Sequence, residues 1–152
     1  MSEELRLALR QHPAAVTIIT APGPVGLTVS SFGSVSMDPP LVGFWIGTGA
    51  SAFEALTSAG SFGVHLLHAD HTDLADLFAR TNADRFGSGT RWESDMDGVP
   101  HLLDAPVRLR CRTVQRLAVG DHVGVIGEPL DIVHLAETQP LLRFRGRYTS
   151  VA

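Results

Sequence analysis

The chain has 152 residues, and with 44% hydrophobic and 18% charged side chains it belongs with folded globular proteins rather than disordered ones. That length reads as a single domain over residues 1–152, large enough to bury a core without disulfides or a structural metal. A net charge of −4 argues against nucleic acid as a partner, and all 12 basic residues are arginine, which excludes lysine Schiff-base chemistry and the lysine-bearing phosphate loop of nucleoside triphosphatases.

The N-terminal stretch lacks the layout of a secretory signal, and no apolar run reaches the ~18 residues that cross a bilayer. No membrane partner is expected. With Cys111 as the lone cysteine there is no disulfide framework, and a reducing cytoplasm fits. Ser2 to Gln11 is rich in helix formers, with Ser2 as a candidate cap, and Pro13 ends the helix. Ala15 to Thr20 is a β-branched strand stopped by Pro22-Gly23-Pro24. Gly26 to Ser31 is a second short strand, followed by a Gly- and Ser-rich segment through Asp38-Pro39-Pro40, and Leu41 to Ile46 is a third.

Ser51 is placed to cap a helix running to Ser58, Ser61 to Leu67 resumes β character, and Asp73 to Arg80 has helical spacing with Leu74, Leu77 and Phe78 on one face. Thr81 to His101 reads as a long loop with room for one helical turn. From residue 107 to 113, Val107, Leu109, Cys111 and Thr113 alternate with Arg108, Arg110 and Arg112, the pattern of a strand with one wet face. Gly120-Asp121-His122 makes a turn, Val123 to Val133 returns with an interruption at Gly127, and Leu141 to Thr149 is a last strand. About seven strands in hairpin order with two or three short helices give a mainly β protein, an antiparallel barrel rather than a wound parallel sheet.

Several motifs compete for the chemistry. Gly47-Thr48-Gly49-Ala50-Ser51-Ala52 matches a dinucleotide fingerprint, with Asp70 near the distance of a ribose-binding acid, but no second βαβ unit follows. His65, His68 and His71 stand three apart, yet a strand ending at Leu67 does not put three imidazoles on one side, so no metal is expected. Ser30 and Ser31 lack the nucleophile elbow, and Cys111 sits on the buried face of its strand. The stretch from Gly26 to Pro40 gathers small hydroxyl residues and exposed amides, which bind phosphate and the edge of a flat heterocycle without any lysine; a polar hairpin with serine-capped turns would look the same.

The run GLTVSSFGSVSMDPPLV resembles the signature of the flavin reductase-like family, the small FMN-binding split barrels that serve two-component monooxygenases. Other pieces follow in the family's order: His12-Pro13, the segment from Phe62 to Leu67, Asp84-Arg85-Phe86, Trp92, Gly98-Val99-Pro100, Gly120-Asp121-His122 and Gly146-Arg147-Tyr148. The resemblance implies an antiparallel split β-barrel, a homodimer with flavin near the subunit interface, and reduction of FMN or FAD by NADH or NADPH. It implies that Thr28, Ser30 and Ser31 contact the flavin phosphate and ribityl chain, and that Val35, Ser36 and Asp38 lie against the isoalloxazine edge. The Gly47–Ala52 motif becomes a phosphate loop. At Ala50-Ser51-Ala52 many relatives carry Ser-Ser or Ser-Thr; here only Ser51 has a hydroxyl, and Arg85 is the best nearby candidate for a compensating charge. His122 is the residue expected to meet the nicotinamide or the flavin ring, and a partner monooxygenase would consume the reduced flavin. A flavin carrier without turnover and an enzyme that keeps its flavin to reduce an organic substrate are the alternatives the same fold allows.

Overall fold

The β-branched run of the first long strand is buried at every position from Thr17 to Ala21, because it is covered on both faces. The structure is a computed structural model and describes residues 1–151. Its elements are α1 (Ser2–Leu9), β1 (Ala14–Ala15), β2 (Thr17–Ala21), β3 (Val25–Val29), β4 (Gly33–Met37), β5 (Pro40–Gly47), α2 (Phe53–Ser58), β6 (Ser61–Leu66), α3 (Thr72–Ala79), β7 (Trp92–Ser94), β8 (Pro100–Leu102), β9 (Val107–Val119), β10 (His122–His134), β11 (Leu142–Phe144) and β12 (Arg147–Thr149). Seven strands form one antiparallel sheet in the order β3-β2-β6-β9-β10-β5-β4.

The sheet curls until its ends meet. Ser31, just past β3, donates its hydroxyl to the carbonyl of Trp45 at 2.8 Å and accepts from the Trp45 amide at 2.9 Å. Trp45 lies in β5, one strand in from the opposite edge. A serine side chain thus stands in for a backbone ladder where β3 and β5 approach, giving the mainly β, antiparallel split barrel that the resemblance implied.

Alternation along β2 sends Ile19 and Ala21 to the barrel interior with Phe44, Ile46, Phe62, Val64, Cys111 and Val125. Ile18 points outward, into a second core with Leu67, Ala75, Phe78, Leu102 and Leu141. Helix α3 covers that outer core through Ala75 and Phe78, with Leu74 and Leu77 packed beside them. Cys111 is fully buried, and burial pushes its thiol up to about 12, so it packs as a small apolar group. Gly127 interrupts β10 for a steric reason: an added Cβ would stand 2.5 Å from the Phe62 ring, and the β9–β10 register shifts at this point.

Several expectations are corrected. Met1, not Ser2, caps α1, and Ala52, not Ser51, caps α2, in both cases without a side-chain cap bond. The Gly- and Ser-rich segment after β3 is itself a strand, β4, with a bulge between Ser34 and Ser36. The stretch read as one loop holds the β7–β8 hairpin and no helical turn. There Trp92 packs edge-on against Phe86 and Phe86 against Phe78, which ties the segment to the outer core. The last strand is two, β11 and β12, joined by a tight turn.

His65 links the two sides of the outer core and is fully buried. The Leu102 amide donates to its Nε2 at 3.0 Å, so the ring proton must sit on Nδ1, which donates to the Ile18 carbonyl at 3.0 Å. A protonated ring would set Nε2–H against the Leu102 N–H, and burial lowers the pKa from 6.5 to about 3. The unfolded chain therefore takes up a proton below pH 6.5 that the folded chain refuses until about pH 3, so stability falls as pH drops through that window. His65→Gln, neutral throughout, is expected to cost about 1–3 kcal/mol at pH 8 and to remove a slope approaching 1.4 kcal/mol per pH unit between about pH 6 and 4. Urea unfolding of both proteins across that range checks it, and parallel pH curves would contradict the assigned tautomer.

Candidate functional site

A cavity of about 410 Å³ opens beside the start of β3, where Pro24, Val25 and Gly26 face Ser51 and Ala52 from one side and residues 82–86 from the other. Ser51 and Arg85, 34 positions apart in sequence, line the same space. Arg85 is held by its own donors: Nη1 bonds the Gly26 carbonyl at 2.7 Å and Nη2 the Arg80 carbonyl at 2.9 Å. Its Nε is buried with no partner among the described residues, and desolvation lowers its pKa from the ordinary arginine value. Asp84 lines the same cavity and offsets part of that charge.

The loop from Gly47 to Ala52 is fixed at its start, where the Thr48 amide donates to the Asp121 carbonyl at 3.0 Å and the Ala50 amide to Gly47 at 3.0 Å. The amides of Gly49, Ser51 and Ala52 have no backbone acceptor among the described residues, and neither has the Ser51 hydroxyl a partner. Helix α2 is only six residues long, so these local N–H groups, rather than a long helix dipole, make the loop receptive to an anion. The donors present are N–H groups, a hydroxyl and one arginine with an unmet Nε. Such a set fits the phosphate end of a flavin mononucleotide.

The remaining sequence-predicted residues occupy three places. Thr28 turns its hydroxyl to the Ala75 carbonyl of α3 at 2.6 Å, and Ser31 is spent on Trp45, so both hydroxyl protons are already committed. Ser30, between them, is exposed. Val35 and Asp38 are exposed and Ser36 half-buried; Val35 falls at the β4 bulge, outside the pairing of Ser34 and Ser36 with β5. Barrel closure brings this edge of the sheet round toward the β3 edge.

His122 opens β10 opposite Gly47, and its Nε2 would lie 3.6 Å from a Cβ placed on that glycine. The GDH turn and the Gly47–Ala52 loop are therefore one assembly. His122 Nδ1 meets Asp121 Oδ1 at 2.7 Å, a bond that holds the exposed Asp121 carboxyl below its ordinary range. Gly120 takes φ +57°, the conformation that lets a two-residue turn join β9 to β10. Asn82, which the sequence did not single out, also lines the cavity. Asn82 carried the one readable signal, as Asn is among the few residues at ease at its φ of +59°.

The three spaced histidines separate. His65 faces the outer core, whereas the His68 amide donates to His71 Nδ1 at 3.0 Å. No group of three His, Cys, Asp or Glu side chains is arranged to hold a metal ion among the described residues. No helix there is long and apolar enough to cross a membrane.

The fold is shared with known proteins. The pattern of the flavin reductase like domain matches residues 9–152. An NADH:FMN oxidoreductase of Rhodococcus qingshengii is 41% identical over 153 aligned residues, covering 95% of this chain and 79% of that protein. The NADH:FAD oxidoreductase SgcE6 of Streptomyces globisporus C-1027, solved with NAD and FAD fragments, superposes with a TM-score of 0.91 at 30% identity, covering 99% of this chain and 93% of that one. BorF, the flavin reductase component of a bacterial two-component tryptophan halogenase, gives 0.89 at 29% identity, covering 99% and 98%. The chain belongs to the flavin reductase like domain family.

Proposed function

We propose that this chain is an NAD(P)H:flavin oxidoreductase that delivers reduced FMN or FAD to a partner monooxygenase, with the site placed between the Gly26–Arg85 cavity and the GDH turn. The observation that carries the reading is the convergence of Ser51, Arg85 and unpaired loop amides on one cavity, with His122 packed against Gly47 at the loop's other end. When bound, the flavin supplies a hydride acceptor at N5 for the nicotinamide C4. Stacking the two rings is then the main task of the protein, which acts through position rather than through proton transfer.

In this reading Ser51, Arg85 and the loop amides hold the phosphate. Ser30 and the backbone of β3 follow the ribityl chain, and Thr28 and Ser31 shape that wall while bonding within the protein. Val35, Ser36 and Asp38 meet the isoalloxazine edge, where the bulge leaves backbone groups unpaired. His122, steadied by Asp121, meets the nicotinamide. A cytoplasmic location belongs with this reading, because the reduced nicotinamide pool is found there.

The homodimer is supported by apolar surface. Val114, Leu117 and Val119 on β9 and Leu130, Ile132 and Leu135 at and beyond the middle of β10 are all exposed. The strand edges nearby are also open: β6 pairs β9 only as far as Arg112, and β5 pairs β10 only as far as Gly127. A second copy would cover both.

Purified protein should consume NADH when FMN or FAD is added, and no consumption with either flavin would defeat the enzyme reading. Arg85→Gln is expected to raise the Kd for FMN about tenfold while changing that for riboflavin less than about twofold. Flavin fluorescence titration measures both, and equal losses would remove the phosphate role. His122→Ala should lower kcat/KM for NADH by about three- to tenfold with the FMN Kd unchanged; unaltered steady-state kinetics would show that His122 only supports the turn. In sedimentation the native chain should run as a dimer and Ile132→Glu as a monomer, whereas a monomeric native protein would rule out a site at a subunit interface.

A further inference from the structure

The β11–β12 hairpin turns through Arg145 and Gly146, at φ +52° and +75°. Two left-handed residues in succession make the tight hairpin turn in which Asn-Gly or Gly-Gly is usual. An arginine there carries a Cβ penalty that asparagine or glycine largely avoids. The surrounding residues hold it in place nonetheless. Arg145 Nη2 donates to Gln11 Oε1 at 2.8 Å, its guanidinium lies 4.8 Å above the Phe144 ring, and Arg10 Nη2 donates to its carbonyl at 3.2 Å.

Beside this turn is a cavity of about 550 Å³ lined by Arg10, Phe144, Arg145, Arg147, Tyr148 and Thr149. None of the lining residues is acidic. Arg10, Arg145 and Arg147 form no ion pair among the described residues, whereas Arg91, Arg110 and Arg112 each meet a carboxylate. Arg143, stacked 4.8 Å over Tyr148, adds a fourth positive charge next to the cavity. Asp76 lies near the Tyr148 hydroxyl but is not part of the lining. So four of the 12 arginines concentrate at one end of a chain whose net charge is −4. Such uncompensated charge draws in anions.

We propose that this cavity binds the diphosphate group of a nucleotide. Each guanidinium presents a planar fork of donors that meets tetrahedral phosphoryl oxygens in pairs, and three such forks around one cavity exceed what a single carboxylate can use. Thr149 adds a hydroxyl. Gln11 and Phe144 hold the Arg145 side chain in place before the ligand arrives, which reduces the entropy lost on binding. The diphosphate has two possible sources, a dinucleotide used in the reaction or a free nucleoside diphosphate, and either would be recognised by the same groups.

Calorimetric titration of the full chain with inorganic pyrophosphate and with ADP tests the site, and both affinities should weaken as salt is raised. Arg145→Asn suits the turn, so its Tm should equal or exceed that of the native protein while the Kd for pyrophosphate rises about tenfold. Arg147→Gln, away from the turn, should show a similar loss. A KM for NADH that rises in Arg145→Asn assigns the site to the dinucleotide; an unchanged KM with pyrophosphate and ADP binding lost assigns it to a free nucleotide. Undetectable pyrophosphate binding to the native chain, or binding unaltered in both variants, would overturn the proposal, and neither result would bear on whether the chain reduces flavin.

Discussion

The approach of β3 to β5 is the constraint from which the site follows, and it rests on the Ser31 hydroxyl. Its two bonds to the Trp45 backbone contribute about 0.5–1.5 kcal/mol each, a small share of the stability, yet they decide which surfaces face each other. β3 carries Gly26, whose carbonyl anchors Arg85, and β5 runs on to Gly47 and the loop that bears Ser51. Were the sheet to lie open, β3 and β4 would stand six strands apart in the order, with the proposed ribityl wall on one edge and the isoalloxazine edge on the other. Closure turns those two far ends into one neighbourhood.

Closure also requires that β2 be buried on both faces, because barrel and outer helix share that strand. Polar groups caught in so crowded a region have to find partners. The Thr17 hydroxyl bonds the Val29 carbonyl, that of Thr20 the Pro100 carbonyl, and His65 joins Ile18 to Leu102. Each of these bonds reaches from the central strands to a neighbouring segment. Thr28 does the same toward α3, so a hydroxyl in the signature run serves the fold.

The parts of this fold legible in the sequence are those written in long periodic runs. The arginine alternation of β9, the β-branched β2 and the helical face of α3 have enough residues for period and burial to agree. Three-residue strands do not, and β7, β8, β11 and β12 were hidden among Pro, Gly and Asp, or run together, because their pairing is fixed by contacts such as Trp92 on Phe86. The resemblance offered a set of candidate site residues, but not their arrangement. Nothing local in the sequence says that Thr28 faces a helix carbonyl, that Ser31 is a closure bond, or that the Gly47 loop is tied to Asp121. Those are long-range pairings between segments that only the closed barrel brings together.

The absence of lysine acquires a functional meaning from the way Arg85 is held. A phosphate carries close to two negative charges, and a tight site answers it with free cationic donors. Here two donors of Arg85 are spent on carbonyls, Asp84 offsets part of its charge, and the rest of the set is neutral amides and one serine. In the proposed reading such a site would orient a phosphate more than retain one. In the proposed delivery of reduced flavin to a second enzyme, a firmer grip would slow the step that follows hydride transfer, since release limits turnover in many enzymes once chemistry is fast. The one-serine loop is therefore coherent with the proposed release of a diffusing flavin.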